Sequence, residues 1–265
     1  MTNEIFNQWL NERKTFKPLS KWNPSLIQLI IDRHPKETSG FLQRTITGMP
    51  GYGKSMYAYK IMAKLFYVIN GYTKIDQEED AYKLALENMI YRPQELFNKI
   101  EQQMVLGEPA WIWTLDDASI HMGRQLWDQS RQTYWDLQDN IPTIREDVTC
   151  LLITTPNVKL LAKPFREFFD MKIEMDLVEG IKRYPRRAKH YIKKYYPDDI
   201  RFRIYHPYDD KLSCLVPEPF YTWYREKKLA ALRDYHKSKK DRRMVKPDRE
   251  EVPVEEPIED MPGGV

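Results

Sequence analysis

Apolar residues recur along this chain with two different periods, and the exchange between them predicts an α/β architecture. Phe41–Thr47 alternates and carries β-branched residues, Trp111–Leu115 and Val148–Thr154 are almost continuously apolar, and Met171–Leu177 alternates as an edge strand does. Near-continuous apolar runs fit a parallel sheet covered on both faces. Helical spacing appears between them. Met56, Tyr59, Ile61, Met62, Leu65 and Phe66 approximate one stripe that Gly71 ends, and Gln77–Met89 and Pro93–Gln103 read as further helices. Ser119–Gln138, aromatic and polar, is expected to be largely helical. Strands separated by helices imply a mainly parallel sheet with right-handed crossovers.

The same pattern divides the chain. Residues 1–40 are expected to be a helical N-terminal appendage, with Phe6, Trp9 and Leu10 on one helix face and a second helix from Pro24-Ser25 through Ile31. Residues 41–178 form the α/β core. Residues 179–224 read as a basic, aromatic β extension, a hairpin of Lys189–Tyr195 and Ile200–His206 around Pro197-Asp198-Asp199. A basic helix follows over 225–249, its helical spacing running from Trp223 to Lys240. The tail, 250–265, is acidic, contains Pro253 and Pro257, has few aliphatic residues, and is expected to be disordered.

Composition narrows the class. The chain has 265 residues, 42% hydrophobic and 31% charged, which suits one globular core with a very polar surface. No apolar run approaches the roughly 18 residues of a membrane span. Met1-Thr2-Asn3-Glu4 lacks the basic-then-apolar pattern of a secretory signal. Cys150 and Cys214 are too far apart to suggest a metal spacing, and Cys150 falls in an apolar strand. These features lead to the expectation of a cytoplasmic protein without membrane insertion. The net charge is only +3, but 181–206 holds nine Lys or Arg against two Asp, and 225–249 holds eleven against four acids.

The strongest chemical signal is Gly48-Met49-Pro50-Gly51-Tyr52-Gly53-Lys54-Ser55, which fits G-x-x-x-x-G-K-[ST] at every fixed position. It lies between a strand and a helix, the context in which that pattern builds a phosphate cradle. Glycines let successive amides turn inward, and the following helix, opening through Met56, adds the positive end of its dipole. Lys54 is placed to reach the β- and γ-phosphates, and the Ser55 hydroxyl to ligate Mg²⁺. Further on, the apolar strand Trp111–Leu115 ends in Asp116-Asp117. Ligands of open α/β sheets bind beyond the carboxyl ends of the strands, where this pair emerges. Asp116 is the candidate to hold Mg²⁺ through water, and Asp117 to orient or deprotonate an attacking water. The alternative for Asp117 is a helix cap before Ala118.

Gly48–Ser55, Leu115-Asp116-Asp117 and Leu152-Ile153-Thr154-Thr155-Pro156 together resemble the additional-strand class of P-loop ATPases. Trp113–Ala118, and the stretch from Ala85-Leu86 to Pro93-Gln94-Glu95-Leu96-Phe97, look like ATP-binding proteins of archaeal viruses and plasmids. The resemblance implies ATP hydrolysis coupled to DNA handling, commonly in a homo-oligomeric ring, with ATP and Mg²⁺ as cofactors. In that class the strand between the loop strand and the acidic strand ends in a polar sensor of the γ-phosphate or water. Thr154 and Thr155 are both candidates here. An arginine from a neighbouring subunit often completes such sites; Arg145 and Arg166 are favoured over Arg124 and Arg131. The Asp-Asp pair departs from the more usual Asp-Glu by one methylene.

Nucleic-acid contact is expected in the basic aromatic extension, through Lys182, Arg183, Arg186, Arg187, Lys189, Lys193 and Lys194, with interleaved tyrosines to stack bases. The alternative is a solvated hairpin whose tyrosines pack on the core. Three functions follow from these residues: a DNA-handling ATPase in replication or packaging, a nucleotide-gated assembly switch with little hydrolysis, and a small-molecule kinase.

Overall fold

The computed structural model describes residues 18–34, 40–126, 130–167, 171–178, 185–196 and 201–244. Its centre is a seven-stranded sheet in the order β2-β3-β4-β1-β5-β6-β7. The strands are β1 (Leu42–Thr47), β2 (Met89–Ile90), β3 (Ala110–Leu115), β4 (Val148–Thr154), β5 (Met171–Leu177), β6 (Pro185–Tyr196) and β7 (Arg201–Ser213). The first five run parallel to one another, and β6 and β7 are antiparallel additions.

The helices are α1 (Ser25–Arg33), α2 (Lys54–Ile69), α3 (Glu78–Glu87), α4 (Pro93–Leu106), α5 (Ala118–His121), α6 (Arg131–Asn140), α7 (Lys163–Glu167) and α8 (Phe220–Met244). They cover both faces of the sheet, which is why the central strands need no polar face. Alternate residues separate into two buried clusters. Ile112, Cys150 and Leu152 face α1, α2 and α3, whereas Trp113, Leu115, Leu151 and Ile153 face α4, α6 and α7. Among the described residues, no helix is long and apolar enough to cross a membrane.

Two expectations need correction and one needs detail. Met171–Leu177 is no edge: β5 pairs with β1 on one side and β6 on the other. Its alternating pattern reflects polar residues tolerated next to the antiparallel hairpin, not an exposed margin. The edges are instead β7 and β2, the latter two residues whose brevity leaves no periodicity to read. The segment after Asp117 is largely helical, as expected, but in more than one piece. Gly123 forms an antiparallel bridge with Leu161, which brings Met122 and Leu126 into the second cluster and divides α5 from α6. The hairpin is longer than expected, and α8 begins at Phe220, so a boundary at 224/225 falls inside it. The predicted helix around Phe6–Leu10, the hairpin turn at 197–199 and the acidic tail lie outside the described residues.

Packing fastens the hairpin to the core. Tyr57 on α2 donates to Asp210 Oδ2 on β7 at 2.9 Å, and His190 Nε2 on β6 lies 3.1 Å from the same oxygen. All three side chains are buried, so each polar atom needs such a partner. The Lys60 ammonium on α2 donates to the carbonyls of Ser213 and Leu215, and burial pulls its pKa down to about 8. The helix behind the phosphate loop is thus bonded directly to the end of the hairpin.

Candidate nucleotide-binding site

The loop between β1 and α2 owes its shape to glycines. Gly48 has φ 141° and Gly53 φ 84°, conformations that L side chains rarely adopt. Space imposes the same requirement. A Cβ on Gly48 would lie 2.8 Å from the Met175 carbonyl oxygen, and one on Gly53 would lie 2.2 Å from Cys214 Sγ. Tyr52 donates its amide to Met49, closing a turn within the loop. Lys54 starts α2 and folds back over the loop, its ammonium 2.8 Å from Gly48 O and 3.1 Å from Met49 O. Burial lowers its pKa, with Asp117 the leading opposing charge. Phosphate oxygens are the natural replacement for those two carbonyls. Pro50, Gly51 and Tyr52 line the rest of the loop, and Ser55 and Met56 form the first turn of α2.

Opposite the loop, β3 delivers Asp116 and Asp117. Strand β4 lies between β1 and β3, so Thr154 at its carboxyl end stands between loop and carboxylates. The Thr154 hydroxyl donates to Asp116 Oδ1 at 2.7 Å and accepts the Asp117 amide at 2.8 Å. One side chain therefore fixes both aspartates. Asp117 sits at φ 47°, a left-handed conformation uncommon for a residue with a Cβ. It occupies the N-cap position of α5, but its side chain makes no capping bond. The carboxylate points to the site instead, and the cap alternative is not what the side chain does. Thr155 turns away: its amide donates to Ile46 O and its hydroxyl to Asn157 O. Of the two sensor candidates, only Thr154 touches the carboxylates.

A Thr154→Val substitution keeps the volume and the β-branched shape but removes both bonds. Stranding the Asp117 amide and one Asp116 oxygen should cost roughly 2–4 kcal/mol of unfolding free energy. Chemical denaturation checks this, with Thr154→Ser expected to restore most of the loss.

Two further groups reach the site from α8. The Tyr224 hydroxyl donates to Asp116 Oδ2 at 3.0 Å and accepts from the Lys228 ammonium at 3.1 Å. Lys228 lies 3.3 Å from Asp116 Oδ2 and 2.5 Å from Asp117 Oδ2. Burial opposes the Lys228 charge, but Asp116 and Asp117 outweigh it, and its pKa rises. Sequence reasoning missed both residues, because a basic helix reads as a solvated one. The available signal was the i, i+4 spacing of Tyr224 and Lys228 on one face, which does not say what that face meets.

The donor set fits Mg²⁺. Ser55 and Asp116 are hard oxygen donors, and the ammonium now held by the two carboxylates shows that the spot favours a cation. Among the described residues, no group of three or more His, Cys, Asp or Glu could hold a metal alone. That suits an ion that takes one or two protein oxygens and arrives with phosphates.

The remaining candidates are dispersed. Arg145 lies just before β4, at the opposite end of that seven-residue strand, about 20 Å from its own phosphate loop. It is exposed and paired with Glu146 at 3.2 Å. Arg186 lies beside the loop, its Cγ 3.8 Å from a Cβ built on Gly53. Arg187 pairs with Asp209 at 3.6 Å and Lys189 with Asp176 at 2.9 Å. Lys193 and Lys194 lie on β6 further from the loop, and Lys182 and Arg183 lie outside the described residues.

No family model matches the chain. Protein B-251 of Sulfolobus spindle-shape virus 1, described as uncharacterized, is 30% identical over 141 residues, 52% of this chain. The chain spans about half the length of that relative, 51%. Among solved structures, the ATPase domain of G40P covers 76% of this chain and 97% of itself at 9% identity, with TM-score 0.38. The N-terminal domain of zonular occludens toxin from Neisseria meningitidis covers 69% and 97% at 18% identity, TM-score 0.37. A KaiC-like protein from Pyrococcus horikoshii covers 62% and 89% at 16% identity, TM-score 0.34. The fold is α/β, a mostly parallel sheet flanked by helices, with the glycine loop between β1 and α2.

Proposed function

We propose that this chain is a Mg²⁺-dependent ATPase that couples hydrolysis to DNA handling in the replication or packaging of a mobile genome. The observation that carries this reading is the meeting of three separate sequence segments at one point. Thr154 bonds Asp116 and the Asp117 amide directly across from the Lys54 loop. Amides of the Gly48–Ser55 loop and the Lys54 ammonium grip the β- and γ-phosphates. Ser55 and Asp116 would hold Mg²⁺, which neutralises charge building on the phosphates and the leaving oxygen. Asp117 orients the attacking water and accepts its proton, and Thr154 keeps that carboxylate in position. The origin of the 30% identical relative in a virus supports the mobile-genome setting.

Arg145 is too far from its own loop to act there, so a role in catalysis requires a neighbouring copy, as in a ring. The preference for ATP over GTP rests on the family resemblance. The experiment that tests the whole reading is phosphate release from ATP and GTP, with and without single- and double-stranded DNA. Mg²⁺-dependent release from ATP, raised by DNA, is expected. Tight ATP binding without turnover would favour the assembly switch, a reading that gains from the hold of Tyr224 and Lys228 on the metal-binding oxygens. Transfer of phosphate to a small metabolite would favour the kinase.

For DNA, Arg187 and Lys189 pair with Asp209 and Asp176 on the hairpin, and Lys193 and Lys194 are the cations tested. Reversing both charges, Lys193→Glu with Lys194→Glu, should weaken DNA binding on the order of tenfold or more and lower the salt slope by about 2. Fluorescence anisotropy across a salt series measures both. An unchanged affinity and slope would return the hairpin to a structural role.

A further inference from the structure

The groups at the metal-binding corner are saturated by α8, and the sites they occupy are the ones a divalent cation needs. Asp116 Oδ1 is committed to Thr154. Asp116 Oδ2, the oxygen left for a metal, accepts from both Tyr224 and Lys228. Tyr224 also accepts from the Lys228 ammonium at 3.1 Å, so the two α8 side chains form one bonded cluster over that oxygen. Lys228 closes the outer side by reaching Asp117. The Asp116 side chain has no exposed surface, and that of Asp117 is 25% exposed.

We propose that α8 is a latch on the nucleotide site: Tyr224 and Lys228 cap the metal-binding oxygens, so the latched helix and the metal–nucleotide complex exclude each other. This regulation rests on the nucleotide-site reading above. The exclusion follows from lone pairs and charge. Whether Mg²⁺ binds Asp116 directly or through one of its octahedral waters, it needs the free lone pairs of Asp116 Oδ2, and the phenol and the ammonium occupy them. A dication beside an ammonium also repels it at a short, weakly screened distance.

The helix is held well enough to be the resting arrangement. Tyr224 stacks on Tyr59 at 5.6 Å between centroids, and Phe220 stacks on Tyr82 at 4.5 Å. Lys227 donates to Leu86 O and Met89 O at 2.6 and 2.8 Å, capping the end of α3. Further along, Tyr235 meets His121 edge-on, and Asp234 pairs with Arg92. These contacts flank Tyr224 and Lys228 on both sides along the helix, so release requires those two side chains to turn away from the carboxylates.

The test uses the full chain with Mn²⁺ as a paramagnetic substitute for Mg²⁺, titrated with a non-hydrolysable ATP analogue and read by the loss of free-ion signal. Lys228→Met and, as a charge-neutral variant, Tyr224→Phe are compared with wild type. The latch predicts tighter metal–nucleotide binding in both, on the order of tenfold for Lys228→Met and a few-fold for Tyr224→Phe. It also predicts a lower melting temperature for nucleotide-free Lys228→Met, which leaves two carboxylates without their cation. Unchanged or weaker metal binding in both variants would overturn the latch. Metal-free binding of a fluorescent ATP analogue, compared with Lys54→Ala, separates the two claims. Metal-free binding by wild type with no gain in metal–nucleotide binding in the variants sinks the latch alone, and no binding by any protein sinks the site and the latch together.

Discussion

Replacing Lys54 by Ala should weaken nucleotide binding by at least about 100-fold, because a charge-assisted bond to each of two phosphates disappears and nothing nearby replaces it. The loop itself should survive. Its turns are set by glycines at positive φ and by the Tyr52–Met49 amide bond, neither of which involves the lysine side chain. The lysine carbonyl contacts, to Gly48 and Met49, lie at the mouth of the loop, where water can take over. Calorimetric titration with an ATP analogue, alongside a melting curve to confirm folding, gives the answer. Retention of wild-type affinity would remove the loop from the proposed role. Arginine should not substitute well, since its planar fork is larger than the ammonium that the loop encloses.

The second large effect is expected from Asp117→Asn: phosphate release slowed by about 10²–10⁴-fold, with nucleotide affinity changed only a few-fold. The substitution is clean for a structural reason. Asn tolerates the left-handed conformation that position 117 adopts, and the amide that Thr154 accepts is backbone and remains. What is lost is the proton-accepting charge and, with it, the Lys228–Asp117 ion pair, while Lys228 keeps Asp116. Unaltered single-turnover phosphate release would exclude Asp117 as base or water-orienting group. The carboxylate is a methylene shorter than glutamate, so its reach to water depends on the left-handed turn that tips it into the site.

Much of this site could be read from local sequence because its parts are local. A strand, a glycine loop and a helix follow one another without interruption at Phe41–Tyr67, and that continuity is what made Lys54 and Ser55 assignable. Asp116 and Asp117 were legible because an apolar strand ends in charge, which only the rim of a parallel sheet accommodates. The order of strands was less accessible. Thr154 and Thr155 are chemically alike and adjacent, and only pairing with β1 and β3 decides which faces the carboxylates. Met171–Leu177 misled for a similar reason, since alternation reports polar neighbours and not the absence of a partner strand. Tyr224 and Lys228 were beyond reach: they are more than 100 positions from Asp116 in the chain, and a helix with many cations gives no hint that one is buried against acids.

The latch and the hairpin give the site two handles. The hairpin is bonded to α2 through Tyr57, Asp210 and His190, and α8 rests on the carboxylates from the other side. A ligand that shifts either element moves a residue of the phosphate site or its cap. Such coupling is energetic only to the extent that the ligand prefers one arrangement over the other.

The most direct test of the central claim is a crystal structure with a non-hydrolysable ATP analogue and Mg²⁺. The account predicts the triphosphate wrapped by residues 48–55, Lys54 turned from its carbonyls onto the β- and γ-oxygens, and the metal between Ser55 and Asp116 with Lys228 withdrawn. Nucleotide bound elsewhere, or a metal with no contact to Ser55 or Asp116, would contradict it.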